Sequence, residues 1–132
     1  MSPVDSTEEA PTGPPARIVR IAVRDIHGQP ATADVKIVIN GRPSGSIFTG
    51  SGVSQSTVEI YDSNATVQLE ATMAGQVRRA NLSPGEDSIQ FDFDIEALVR
   101  AKAPPVARCP DGTTGMPCVI CRDGDDTWKI CT

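Results

Sequence analysis

Arg17-Ile18-Val19-Arg20-Ile21-Ala22-Val23-Arg24, then Asp25-Ile26-His27-Gly28-Gln29-Pro30, then Ala33-Asp34-Val35-Lys36-Ile37-Val38-Ile39 is the stretch whose reading decides the fold. Val19, Ile21 and Val23 alternate with Arg20, Ala22 and Arg24. Ala33, Val35, Ile37 and Ile39 alternate with Asp34, Lys36 and Val38. Side chains of a strand point alternately to its two faces, so a period of two predicts strands with one apolar face. Between the two runs, His27-Gly28-Gln29-Pro30 carries turn chemistry. Working outward, the same period returns at Val67, Leu69, Ala71 and at Ile89, Phe91, Phe93, Ile95, with shorter runs at 46–49, 56–61 and 76–82. Asn40-Gly41-Arg42-Pro43, Thr49-Gly50-Ser51-Gly52, Asp62-Ser63-Asn64 and Ser83-Pro84-Gly85 separate them. Short strands at this spacing predict an all-β chain, a seven-stranded antiparallel sandwich over residues 17–96.

Three segments flank that unit. Residues 1–16 hold Pro3, Pro11, Pro14 and Pro15 with Asp5, Glu8 and Glu9 and little that is apolar. Such a segment cannot offset its ordering entropy alone and reads as a flexible arm, or as one that orders on a neighbouring subunit. Residues 97–108 read as a linker in which Glu96–Arg100 could form a short helix ended by Pro104-Pro105. Residues 109–132 hold all four cysteines and read as a cysteine-rich β-hairpin appendage.

Bulk properties narrow the function classes. At 39% hydrophobic and 22% charged the chain has globular composition. Seventeen acidic against twelve basic residues give a net charge of −5, and the local basic runs are Arg17, Arg20 and Arg24, and the pair Arg78-Arg79. The first three could form a strip on one strand face, but they lie too sparsely to track a phosphate backbone. Nucleic-acid binding is not expected. Nothing approaches the roughly 18 consecutive apolar residues of a membrane span, and residues 1–15 lack the basic and apolar regions of a secretory signal. The expectation is cytoplasmic synthesis, with a virion or extracellular location after release.

Val23-Arg-Asp25-Ile-His-Gly28-Gln-Pro30 followed by Ala33-Asp-Val35 resembles the opening of transthyretin-like sandwiches, the prealbumin-like modules that include carboxypeptidase regulatory domains. Thr49-Gly50-Ser-Gly52 resembles their next turn, and Ala71-Thr-Met-Ala-Gly75 with Val77 and Leu82 their later strand–glycine–strand step. The likeness spans about residues 17–95. It implies an Ig-like or transthyretin-like sandwich that serves as spacer, carrier or interaction domain, with no catalytic residues. An internal Lys–Asn or Lys–Asp cross-link found in some relatives is not carried over, because Lys36 falls on the polar face of its strand.

Catalytic constellations are not apparent. His27, the single histidine, sits in a turn, so a Ser–His–Asp arrangement would have to be built on that turn. Gly50-Ser-Gly52 lacks the lysine and helix of a phosphate loop. Asp92 and Asp94 share an outward strand face, where paired carboxylates are usually just solvated. No enzyme activity is expected.

The spacing Cys109-x8-Cys118-x2-Cys121-x9-Cys131 is the strongest local signal. Asp123-Gly124 between Val119-Ile120 and Trp128-Lys129-Ile130 predicts a hairpin in which Cys118 faces Cys131 and Cys121 faces Trp128. Two dozen residues need a staple. One reading is a pair of disulfides, for example Cys118–Cys131 with Cys109–Cys121, each worth about 3 kcal/mol for a loop of about 14 residues. The other is one structural zinc held by the four thiolates, with Cys118-x2-Cys121 resembling a knuckle. On either reading the hairpin would offer Trp128 to a partner. The function expected is that of a structural or docking module that binds or decorates a protein assembly or a second copy of itself, a phage virion decoration protein being one example. The alternatives are a cytosolic zinc-bearing adaptor and the precursor of a modified Cys-rich peptide.

Overall fold

The computed structural model describes residues 13–50, 53–96 and 103–132. Seven strands precede residue 96: β1 (Arg17–Arg24), β2 (Asp34–Ile39), β3 (Arg42–Phe48), β4 (Ser56–Ile60), β5 (Val67–Met73), β6 (Gln76–Leu82) and β7 (Ser88–Asp92). Four follow: β8 (Val106–Arg108), β9 (Thr114–Gly115), β10 (Cys118–Asp123) and β11 (Asp126–Cys131). No helix occurs among the described residues. The expected helix around 96–100 and most of the expected arm lie outside them.

The strands form two sheets, ordered β10-β11-β4-β1-β7 and β6-β5-β2-β3-β8-β9. Each apolar parity predicted from the sequence points between them. Val19, Ile21, Val35, Ile37, Val58, Val67, Leu69 and Ala71 are all at most 2% exposed. Most of the core is β-branched and other aliphatic side chains suited to a pleated surface, with Phe91, Phe93 and Trp128 buried among them.

One pair departs from the antiparallel pattern. β1 and β7 run parallel, Ile21 opposite Ile89 and Val23 opposite Phe91. β7 is reached from β6 in the other sheet, through the turn at Ser83–Asp87, so no hairpin dictates its direction.

Arg17 also departs from expectation. It does not join Arg20 and Arg24 in a basic strip, because it shares parity with Val19 and Ile21 and turns inward, 4% exposed. Its guanidinium donates to Asp87 Oδ1 (2.9 Å), to the carbonyls of Glu86 (2.9 Å) and Ser83 (3.2 Å), and to the Ala65 carbonyl. A buried charge is tolerable when paired and hydrogen-bonded in this way. Here it ties the entry of β1 to the β6–β7 turn.

Between β2 and β3 the loop is the two-residue Asn40-Gly41, with φ of 53° and 78°. The primed turn that joins strands this tightly requires positive φ at both positions. The β2–β3 register then slips at Ile37/Val38, leaving Ser44 as the extra residue of a bulge. Gly45 beside it has φ 120°, and a Cβ there would strike the Arg108 carbonyl and come within 2.8 Å of Ile130 Cδ1.

Ser56, 2% exposed, carries an Oγ with no hydrogen-bond partner among the described residues. An unsatisfied buried hydroxyl costs stability. Ser56→Ala is therefore expected to be neutral or to stabilise by up to about 1 kcal/mol. Urea denaturation checks this, and a loss beyond about 1 kcal/mol would mean that the hydroxyl has a partner.

Candidate docking edge

The C-terminal hairpin is where expectation and structure diverge most usefully. Its register is the one read from the sequence, Cys118 opposite Cys131 and Cys121 opposite Trp128. It is not an appendage, however. β11 pairs with β4, Trp128 opposite Ile60 and Ile130 opposite Val58, and β8 pairs with β3. The hairpin extends one sheet and β8–β9 extends the other.

The cysteines are paired as disulfides. Cys118–Cys131 crosses the hairpin with a Cα–Cα distance of 4.1 Å. Cys109, just after β8, joins Cys121 on β10 at 5.5 Å and so links the two sheets. The structural-zinc reading of Cys109, Cys118, Cys121 and Cys131 gives way to this pairing. Among the described residues no group of three or more His, Cys, Asp or Glu side chains is placed to hold a metal ion.

Trp128 is not presented to a partner. It is 7% exposed, and its indole Nε1 donates to the Ser44 carbonyl at 2.8 Å. The cause is the pairing of β11 with β4, which turns Trp128 and Ile130 into the core. The bulge explains the acceptor, because a residue left out of the ladder keeps a carbonyl free for a side chain. The signal was present in the sequence: Thr127-Trp128-Lys129-Ile130 alternates as the sandwich strands do.

Beside Trp128 a cavity of about 190 Å³ opens at the end of the sandwich, lined among others by Arg42, Tyr61, Asp62, Asp123 and Asp125. Arg42 bridges Asp123 and Asp126, the latter at 3.2 Å, and partly neutralises the carboxylates there. Burial, and then the Glu59 carboxylate, push the Tyr61 phenol above its ordinary pKa. His27 is well exposed, with Nε2 3.7 Å from Glu96 Oε2. Asp94 faces Arg78 at 3.6 Å, and Asp92 accepts from Gln90. Lys36 is exposed as expected, 4.0 Å from Glu70.

The two flanks of the sandwich differ. On the cysteine side the chain passes from β9 into β10 through Met116-Pro117, and Gly115 sits against the Cys118 carbonyl so closely that a Cβ would overlap it. β8 and β9 contact β10 there, and Thr132 N donates to the Pro117 carbonyl at 2.7 Å. Covalent and backbone links tie this flank together, with β9 and β10 as its outermost strands.

The opposite flank ends in β6 and β7. β6 is joined to β5 by the two-residue loop Ala74-Gly75, with φ of 48° and 82°. The residues flanking such a loop, Met73 and Gln76, form a hydrogen-bonded pair, and hydrogen-bonded pairs then recur at every second position. Gln76, Arg78, Ala80 and Leu82 therefore bond to β5. The amides and carbonyls of Val77, Arg79 and Asn81 point away from the sheet.

Inward on this flank, Arg78 spans the gap between sheets. Its guanidinium lies 5.1 Å from the Phe93 ring centroid, and its Nε donates to the Asp92 carbonyl at 3.3 Å. Arg79 pairs with Glu70 at 2.8 Å on the outer face. Val77 is 39% exposed. Arginines along an edge discourage like edges from pairing.

Searches of protein-family models, of curated proteins and of solved structures each return no match to this chain.

Proposed function

We propose that this chain is a non-enzymatic docking module on a transthyretin-like sandwich, one that decorates or joins a larger protein assembly by strand addition at β6. The observation that carries the reading is the asymmetry of the flanks. One is cross-linked between the sheets by Cys109–Cys121 and ends in β9 and β10, while the other ends in a seven-residue strand whose outward amides and carbonyls have no strand partner among the described residues. An edge of this kind binds an extended segment through main-chain hydrogen bonds, with alternate side chains adding specificity. Two formed disulfides also fit an oxidising environment, in keeping with a part exposed on the outside of a particle. Among the described residues no helix is long and apolar enough to cross a membrane.

Hydrogen exchange tests this. In the native assembly the amides of Val77, Arg79 and Asn81 are expected to exchange about tenfold or more slowly than in the free chain. Slowing confined to other strands would remove β6 as the docking edge. A chain that joins no larger particle in its native source would remove the docking function itself.

A further inference from the structure

We propose that the cavity beside Trp128 is a binding site for a small organic cation, an ammonium carried on a benzyl-sized apolar body. The inference does not rest on docking at β6, since none of the described residues lining the cavity belongs to that strand. The space lies between the two sheets. Ile39 and Pro43 reach it from β2 and β3, while Ile60 and Trp128, opposite each other on β4 and β11, reach it from the other sheet. Ile60 is 3% and Trp128 7% exposed, so the inner wall of the cavity is apolar and shielded.

The wall is also fixed in place. Trp128 Nε1 is spent on the Ser44 carbonyl at 2.8 Å, so the indole is held by the bulge and does not need to be ordered by a ligand. At about 190 Å³ the cavity is larger than the roughly 150 Å³ that accommodates benzene. Tyr61 adds an aromatic side to it. Burial and the Glu59 carboxylate raise the pKa of its phenol, which therefore stays neutral and leaves the ring face available to a cation.

Charge decides the kind of ligand. Asp62, Asp123, Asp125 and Asp126 all line the exposed mouth. Arg42 spans Asp123 and Asp126, so one guanidinium is already held on one side. Asp62 accepts only from neutral donors, the Asn64 amide at 2.9 Å and Asn40 Nδ2 at 3.5 Å. No cation pairs with Asp62 or Asp125 among the described residues. An anion is repelled by such a mouth. A metal ion finds no group of three or more His, Cys, Asp or Glu side chains placed to hold it among the described residues, and an apolar wall cannot replace its hydration shell. An organic ammonium satisfies both halves of the site: its body covers Ile60 and Trp128, and its N–H donors meet the carboxylates.

The test uses the full chain with its disulfides intact, at low salt, and three probes of one size: benzylamine, benzyl alcohol and benzoate. Trp128, the single tryptophan, reports binding by its fluorescence, and amide chemical shifts report where the probe sits. Benzylamine is expected to bind saturably at about 1 mM, shifting the amides of Ile60, Tyr61 and Thr127. Benzyl alcohol is expected to bind about tenfold more weakly, and benzoate more weakly still. Asp62→Asn/Asp125→Asn is expected to weaken benzylamine about tenfold and to leave benzyl alcohol unchanged. Asparagine keeps the oxygen that accepts from the Asn64 amide, and an unchanged melting curve confirms the fold. Equal affinity for benzylamine and benzyl alcohol in the parent overturns the proposal, because the cavity then selects only for apolar bulk. So do shifts confined to residues outside the cavity, and so does the absence of saturable benzylamine binding up to about 20 mM.

Discussion

Trp128→Ala is expected to lower the stability of the sandwich by roughly 3–5 kcal/mol, the range for truncating a large buried aromatic. The indole fills the junction of the hairpin with β3 and β4, and its Nε1–H is the partner of the Ser44 carbonyl. Removing it leaves a cavity and an orphaned acceptor inside the bulge. Trp128→Phe separates the two contributions. It keeps most of the volume, and losing the hydrogen bond alone is expected to cost about 1–2 kcal/mol. Because Trp128 is the single tryptophan, fluorescence disappears with the mutation, and urea denaturation followed by far-ultraviolet circular dichroism is the measurement to use. A loss below about 1 kcal/mol for Trp128→Ala would place the indole outside the core and return it to the surface role expected from the sequence.

Cys109→Ala/Cys121→Ala is expected to cost about 3 kcal/mol, since it opens a covalent loop with a separation of 12 residues. For a chain of this size that corresponds to a fall in melting temperature of about 10 °C. Cys118→Ala/Cys131→Ala opens a loop of nearly equal length, with a separation of 13, so the loop-entropy argument assigns both pairs the same loss. What differs is where the protein loosens. The first bond joins two sheets; the second joins two strands already hydrogen-bonded to each other. Calorimetry gives the magnitudes, and hydrogen exchange gives the location. Loss of Cys109–Cys121 is expected to speed exchange in β8 and β9, and loss of Cys118–Cys131 to act within the hairpin. If both variants melt with the parent, the bonds contribute nothing to the fold.

Much of this architecture is legible because its signals are local. Alternation at Val19-Ile21-Val23, at Val35-Ile37 and at Val67-Leu69-Ala71 marks strands and their inner faces, and Asn40-Gly41 and Asp123-Gly124 mark hairpins with their registers. The facing of Cys118 by Cys131 follows from the hairpin alone. What stays hidden is pairing across the chain. No local feature says that β11 sits beside β4, so Trp128 read as an aromatic side chain on a separate module although its parity with Ile130 was that of a core strand. Arg17 misled for a related reason. Its parity was inward, but the carbonyls of Ala65, Ser83 and Glu86 that make an inward guanidinium tolerable come from distant turns. The candidate docking edge is legible only by elimination, because an unpaired strand is defined by what the rest of the chain leaves uncovered.

The seat of β11 between β10 and β4 has a consequence for biosynthesis. Translation makes residues 56–60 long before residues 126–131, which will lie alongside them. In that interval the nascent chain carries a bare strand rim rich in Val and Ile, the kind of surface that recruits chaperones or sticks to neighbours. Arrival of the late hairpin hides that rim, and oxidation of its thiols then makes the closure hard to reverse.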